Sequence, residues 1–152
     1  MTIGISTNKP VWGIFIGAVL LCGSVVTALA AWQPQPAFDL KESVTRGKAV
    51  YDSQCVTCHQ GKGEGVKEVY PPLAKSDYLM ANQVRAIATV VNGAEGEITV
   101  NGTKYDNEMV SIDLTDQQVS DVLNYVRNSW GNQGDAIKPE EVAPQRKKAE
   151  NK

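Results

Sequence analysis

The stretch Cys55-Val56-Thr57-Cys58-His59 decides how the rest of this chain is interpreted. Two thiols three positions apart, with an imidazole directly after the second, form the pattern of covalent c-type haem attachment. Each thiol can add across one vinyl group of the porphyrin, and the adjacent imidazole then binds the iron from one face of the ring. The sequence therefore predicts one covalently attached haem c, held by Cys55, Cys58 and His59.

Two other kinds of site contain closely spaced cysteines. A thioredoxin-like redox pair has the same spacing, but it occurs in a βαβ setting that this sequence does not show. A zinc site needs about four nitrogen, sulfur or oxygen ligands. His59 is the only histidine, and the third cysteine, Cys22, lies in a separate apolar block. Haem is therefore the favoured interpretation.

The overall charge of the chain excludes one large class of functions. The 152 residues include 15 basic and 17 acidic side chains, which gives a formal net charge of −2. Nucleic-acid binding requires a basic face, so we expect no nucleic-acid partner. The length is suited to one domain with additional segments.

An uncharged apolar block, residues 11–32, dominates the N-terminus. A run of about 20 apolar residues is long enough to span a bilayer. Ala28-Leu29-Ala30 also forms a signal-peptidase motif, with cleavage after Ala30. Residues 1–32 are therefore a signal peptide or a membrane anchor. In both cases we expect the remaining chain on the periplasmic side of the cytoplasmic membrane, anchored by residues 11–32 or soluble in the periplasm.

The rest of the chain divides by composition into three segments. Residues 33–42 form a proline-rich linker. Residues 43–137 contain the helical periodicity and the cysteine motif, and we expect them to form the domain, with Ser43 as the first N-cap. Residues 138–152 are rich in charge and lack an apolar stripe, which predicts a flexible tail.

Helical periodicity predicts how the first and last helices of the domain meet. Gly47 and Tyr51 share one face of the helix that leads into the cysteine motif. A glycine inside a helix predicts that another helix crosses there with its backbone close. The capping box formed by Thr115 and Gln118 begins the last helix, and Gly131 is expected to end it. Its Tyr125 is expected at the crossing.

Shorter elements are predicted between these two helices. Residues 76–81 and 82–91 have helical patterns, and Val84 is expected on the apolar stripe of the second. The sequence of Ile98–Tyr105 predicts two short strands joined by an Asn101-Gly102 turn.

The segment Pro71-Pro72-Leu73 is expected to complete the histidine side of the haem. A ligating histidine donates its second ring N–H to a fixed acceptor. Two prolines make this segment rigid, so a backbone carbonyl near Pro71 is a candidate acceptor, with Leu73 pointing at the ring. An ordinary rigid loop is the alternative interpretation.

Met109 is the candidate for the second axial ligand. Met80 follows His59 by 21 residues and lies in a predicted helix, which indicates a core position. Met109 follows His59 by 50 residues in an irregular segment, so the chain can pass around the ring and return on its other side. An ordinary exposed methionine is the alternative.

Together these features resemble the class I (mitochondrial-type) c-type cytochromes over about residues 43–137. The hairpin and the segments 105–109 and 126–132 are similar to a subgroup of small bacterial mono-haem cytochromes. Members of this subgroup occur alone or tethered to enzymes such as copper nitrite reductases. The resemblance implies an all-α, cytochrome c-like fold, with a few helices around one covalent haem, a short β-hairpin insertion and an N-terminal apolar helix. The subgroup usually has proline after the ligand methionine, whereas Val110 follows Met109, which predicts a looser loop.

The function expected from this pattern is one-electron transfer rather than enzymatic catalysis. Iron bound by His59 and Met109 has no free position for a substrate. The expected partners are redox proteins: a membrane respiratory complex, a terminal oxidase or a nitrite reductase-type enzyme. They should approach the haem edge between Cys58 and Gly65. A gas sensor or other ligand-binding haem protein is an alternative that requires Met109 to leave the iron, and an electron-entry subunit of a larger oxidoreductase complex is another.

Overall fold

The computed structural model describes residues 37–150, with side chains described for residues 37–146. The predicted signal peptide or anchor, with its apolar helix, lies outside this range, as do residues 33–36 of the predicted linker. No helix within residues 37–150 is long and apolar enough to cross a membrane.

The described residues form mostly helices, in agreement with the predicted all-α class. In chain order the elements are α1 (Leu40–Gln54), α2 (Val56–His59), α3 (Asp77–Ala81), α4 (Gln83–Asn92), β1 (Ile98–Val100), β2 (Thr103–Tyr105), α5 (Asp116–Arg127) and α6 (Pro139–Glu150). The two strands form the predicted hairpin, and Asn101 and Gly102 both have the positive φ that its tight turn requires.

Helices α1 and α5 cross at Gly47, as predicted. A Cβ atom at this position would overlap the backbone carbonyl of Asp121 and would lie 2.9 Å from Cβ of Tyr125. Tyr51, which is fully buried, packs its ring 5.4 Å from that of Tyr125 and 5.1 Å from that of Trp130, between ring centroids. Because Gly47 has no side chain, the two helices can approach closely enough for these three aromatic rings to pack beside the crossing.

The prediction that Ser43 caps the first helix is wrong. Helix α1 begins at Leu40, and the Asp39 side chain accepts a hydrogen bond from the Glu42 N–H as its N-cap. Ser43 is instead fully buried and donates its hydroxyl to the carboxylate of Asp121 across the crossing. The predicted linker therefore ends earlier, because residues 40–42 belong to the helix.

The apolar stripe of α4 is rotated relative to the prediction. Its buried side chains are Ala86, Ile87 and Val91, whereas Val84 is 52% exposed. The helix ends at Asn92, and its C-cap residue Gly93 has a φ of 77°, which favours glycine.

The last predicted helix begins as expected and ends earlier. Thr115 and Gln118 form the capping box of α5. The helix ends at Arg127 rather than at Gly131, and the chain then turns so that the Trp130 ring packs on Tyr51.

The prediction of a flexible tail over residues 138–152 is wrong for most of that segment. Helix α6 occupies Pro139–Glu150, and Ile137 and Val142 are fully buried. These two side chains, five positions apart, are enough to attach the segment to the core. The sequence pattern did not reveal this because two apolar residues do not make a helical stripe.

Candidate functional site

A cavity of about 560 Å³ lies against α2 and is closed on another side by the loop between β2 and α5. This volume is within the range of roughly 300–1,000 Å³ that is usual for small-molecule and cofactor sites. All six residues predicted from the sequence line it: Cys55, Cys58, His59, Pro71, Leu73 and Met109.

His59 is the last residue of α2, and its ring orientation is fixed by the neighbouring loop. Nδ1 of His59 lies 3.0 Å from the carbonyl oxygen of Pro71, so the Nδ1–H donates to it. Burial lowers the pKa of His59, which favours the neutral imidazole. The lone pair then resides on Nε2, the arrangement that a metal-binding histidine requires.

A glycine-rich loop brings Pro71 to the histidine. The Gly65 N–H donates to the His59 carbonyl at 3.0 Å, and the Leu73 N–H donates to the Gly63 carbonyl at 2.7 Å. Gly65 has a φ of 64°, and a Cβ there would lie 2.8 Å from the Pro71 carbonyl carbon. The tight turn of this segment therefore places Pro71 against His59.

The two cysteines of the motif lie at the cavity wall, and neither forms a disulfide. Cys55 directly follows α1, and burial is the main cause that raises its pKa to about 11.

The loop that carries Met109 is fastened by backbone contacts. The Met109 N–H donates to the Ala94 carbonyl at 2.9 Å, and the Ala94 N–H donates back at 2.8 Å. Further along, the Ile112 N–H donates to the Val90 carbonyl at 3.3 Å. Val110, which stands where the subgroup has proline, is 68% exposed. Backbone pairing with Val90 and Ala94 thus holds the loop without a proline.

Arg85 is a cavity residue that sequence reasoning missed. Its Cζ lies 3.8 Å from the centroid of the Tyr78 ring, and its Nε is buried without a hydrogen-bond partner among the described residues. A buried N–H of a charged group is expensive to leave unpaired, so the site is suited to a carboxylate. Nothing in the sequence distinguishes this arginine from one on a solvated helix face.

The chemistry of this cavity fits haem. It offers two thiols, a neutral imidazole with a fixed ring, a soft thioether and an unpaired guanidinium N–H for a propionate. Among the described side chains, no group of three or more His, Cys, Asp or Glu residues forms a metal site of another kind.

Comparison with known proteins identifies relatives of the same kind. Residues 44–130 match the family described as Cytochrome c. Cytochrome c-552 of Thermus thermophilus is 36% identical over 90 residues, which cover 56% of this chain and 68% of that protein. Cytochrome c-555 of Prosthecochloris aestuarii is 31% identical over 85 residues, 56% of this chain and 86% of that protein.

A larger relative contains a similar segment. The cytochrome c subunit of the quinone-dependent alcohol dehydrogenase of Gluconobacter oxydans is 32% identical over 95 residues. That match covers 57% of this chain but only 18% of the subunit. Helix α6 lies beyond the residues matched by the family.

Proposed function

Because this chain belongs to the cytochrome c family and carries one covalent haem c, we propose that it is an electron carrier whose iron is bound by His59 and Met109. The observation that carries this proposal is the placement of both side chains on one cavity, with Nδ1 of His59 hydrogen-bonded to Pro71. When bound, the haem supplies a reversible one-electron iron couple.

The protein residues set the properties of that couple. The Pro71 carbonyl keeps His59 in one tautomer, and the thioether of Met109 favours the reduced iron relative to a second imidazole. The Ala94 pairing keeps Met109 at the cavity. With His59 and Met109 both bound to the iron, no position would remain for a substrate, so the chain itself would transfer electrons without catalysis.

We propose that partners approach at a valine rim, defined as Val66, Val69 and Val110. These side chains are 39%, 37% and 68% exposed, and two of them, Val69 and Val110, also line the cavity. Val66 and Val69 lie in the loop that follows His59, and Val110 lies in the loop that carries Met109. A redox protein that covers this rim would bring its cofactor near the haem edge, and burial of apolar area would stabilise the encounter.

Carboxylates lie close to the lysines near this edge. Lys67 lies 3.9 Å from a carboxylate oxygen of Glu68, and the backbone N–H of Lys62 donates to the side chain of Glu64 at 2.7 Å. Steering of a partner by Lys62 and Lys67 is therefore expected to be weak. Electron transfer should vary little with salt, whereas a steep decrease with ionic strength would support steering.

The partners are proposed to be redox proteins outside the cytoplasm, such as a membrane respiratory complex, a terminal oxidase or a nitrite reductase-type enzyme. Residues 11–32 would anchor the chain on the periplasmic side of the cytoplasmic membrane, unless cleavage after Ala30 releases it. Similarity to dehydrogenase cytochrome subunits favours a second candidate, an electron-entry subunit of a larger complex. Purification from native membranes, followed by identification of co-purifying subunits, distinguishes the two.

Potentiometric titration of the purified full chain tests the carrier function. We expect one reversible one-electron transition and no binding of carbon monoxide to the ferrous protein on mixing. Rapid carbon monoxide binding would contradict the proposal and favour a gas sensor, because it requires an open iron position.

A further inference from the structure

Arg146 of α6 contacts the end of the loop that carries Met109. Its Nη2 donates to the Leu114 carbonyl at 2.7 Å, and its Nε donates to Oδ1 of Asp116 at 2.9 Å. Leu114 is the last residue but one before α5, and Asp116 is the first residue of that helix. The guanidinium therefore joins the C-terminal end of the loop to the start of α5.

Helix α6 is attached firmly enough to hold Arg146 in place. Val142, one turn before Arg146, is fully buried, and the Gln83 side chain donates to the carboxylate of Glu141 at 2.8 Å. The Arg146 side chain itself is 32% exposed, so it lies partly out of water beside Asp116. A charge-assisted pair in such a position is stronger than a fully solvated surface pair.

The loop is thus fastened at three successive points. Ala94 pairs with Met109 itself, the Val90 carbonyl accepts from Ile112, and Arg146 holds Leu114. Ala94 and Val90, which make the first two contacts, lie inside the region matched by the family, whereas Arg146 lies outside it. Val110 follows Met109 without the rigidity of a proline, so the end of the loop depends on such contacts.

We propose that Arg146 is a positioning residue for the methionine ligand: it restrains the loop from Met109 to Leu114 and so keeps the thioether on the iron. This inference rests on the proposed ligation by Met109. A loop with a free C-terminal end would let the thioether move away more often, and an external ligand could then replace it.

Displacement of the methionine by imidazole in the ferric holoprotein tests this role. We expect Arg146→Ala to lower the imidazole concentration for half replacement by about threefold to tenfold, and Arg146→Lys to have a smaller effect because one contact can be kept. Lys138→Ala is the matched control. It removes an exposed cation just before α6 that pairs only loosely, at 4.0 Å, with Glu140. This control should behave as the wild type.

Amide hydrogen exchange at Met109 gives a readout that does not depend on the iron. Exchange should be faster in Arg146→Ala than in Lys138→Ala. If thermal unfolding shifts in Arg146→Ala while imidazole affinity and Met109 exchange match the control, Arg146 is merely structural and the inference is overturned. If the wild type lacks methionine ligation altogether, the proposed coordination fails, and the exchange rate alone then decides whether Arg146 restrains the loop.

Discussion

The carbonyl oxygen of Pro71 lies 3.0 Å from Nδ1 of His59 and accepts its hydrogen bond. This contact explains the composition of the loop between them, since Gly63 and Gly65 allow the chain to return to the ring. It also leaves Nε2 as the free ring nitrogen. The carbonyl group that orients His59 thus comes from a residue 12 positions later in the sequence.

Substitution of Arg85 tests whether its guanidinium lies beside a haem propionate. We expect Arg85→Gln to lower the reduction potential by roughly 20–80 mV, because loss of a nearby positive charge stabilises ferric iron. Spectroelectrochemical titration measures the shift. Lys104→Gln, which removes an exposed cation paired with Glu97, should change the potential far less. Equal shifts in the two variants would refute a specific role for Arg85.

Substitution of Gly47 tests the close helix crossing. Gly47→Ala should lower the free energy of unfolding by about 3 kcal/mol or more, because its Cβ would overlap the Asp121 carbonyl and force α1 and α5 apart. Urea unfolding of the holoprotein measures this. Gly61→Ala is the control, since its Cβ would meet nothing within 4 Å. Equal stability of the two variants would contradict a close helix crossing at Gly47.

The buried carboxylate of Asp121 is expected to stabilise the same crossing. It is 2% exposed and accepts hydrogen bonds from Ser43, from Arg46 and from Gln117. Asp121→Asn should lower the free energy of unfolding by about 2 kcal/mol, because the buried partners lose a charged acceptor. Asp52→Asn, which breaks an exposed pair with Lys48, should change it by about 0.5 kcal/mol or less. Similar losses of unfolding free energy in the two variants would argue against a stabilising role for Asp121.

The valine rim can be tested with the protein as its own partner. Val110→Asp should slow electron self-exchange by about fivefold, because a charge replaces apolar contact area at the docking edge. Line broadening in mixtures of ferric and ferrous protein measures the rate by NMR. Val84→Asp adds the same charge at an exposed site on α4 that does not line the cavity. Equal slowing in both variants would point to net charge instead of the rim.

Much of the site could be predicted because its chemistry has local sequence requirements. The two cysteines must lie three positions apart with His59 directly after the second, and a rigid proline segment must follow within reach. The Gly47 crossing was also predictable, since a helical glycine indicates a close backbone contact. The ligand role of Met109 stays a prediction, although the structure places its side chain on the same cavity as His59.

Other features depend on tertiary contacts that leave no pattern in the sequence. Asp39 caps α1, and Ser43 is thereby free to enter the core and bind Asp121. Helix α6 is attached by two buried side chains and by Arg146, which a charged segment does not suggest. Arg85 is a candidate for binding a haem propionate because its Nε is unpaired in the cavity wall, which only the tertiary structure shows.

The measurement that tests the proposed iron centre most directly is the far-red absorption of the ferric protein, where methionine-ligated haem has a weak characteristic band. The wild type and Met80→Ala should show the band, since Met80 does not line the cavity. Met109→Ala should lose the band and bind carbon monoxide when reduced. A band that persists in Met109→Ala, or one that disappears in Met80→Ala, would contradict ligation by Met109.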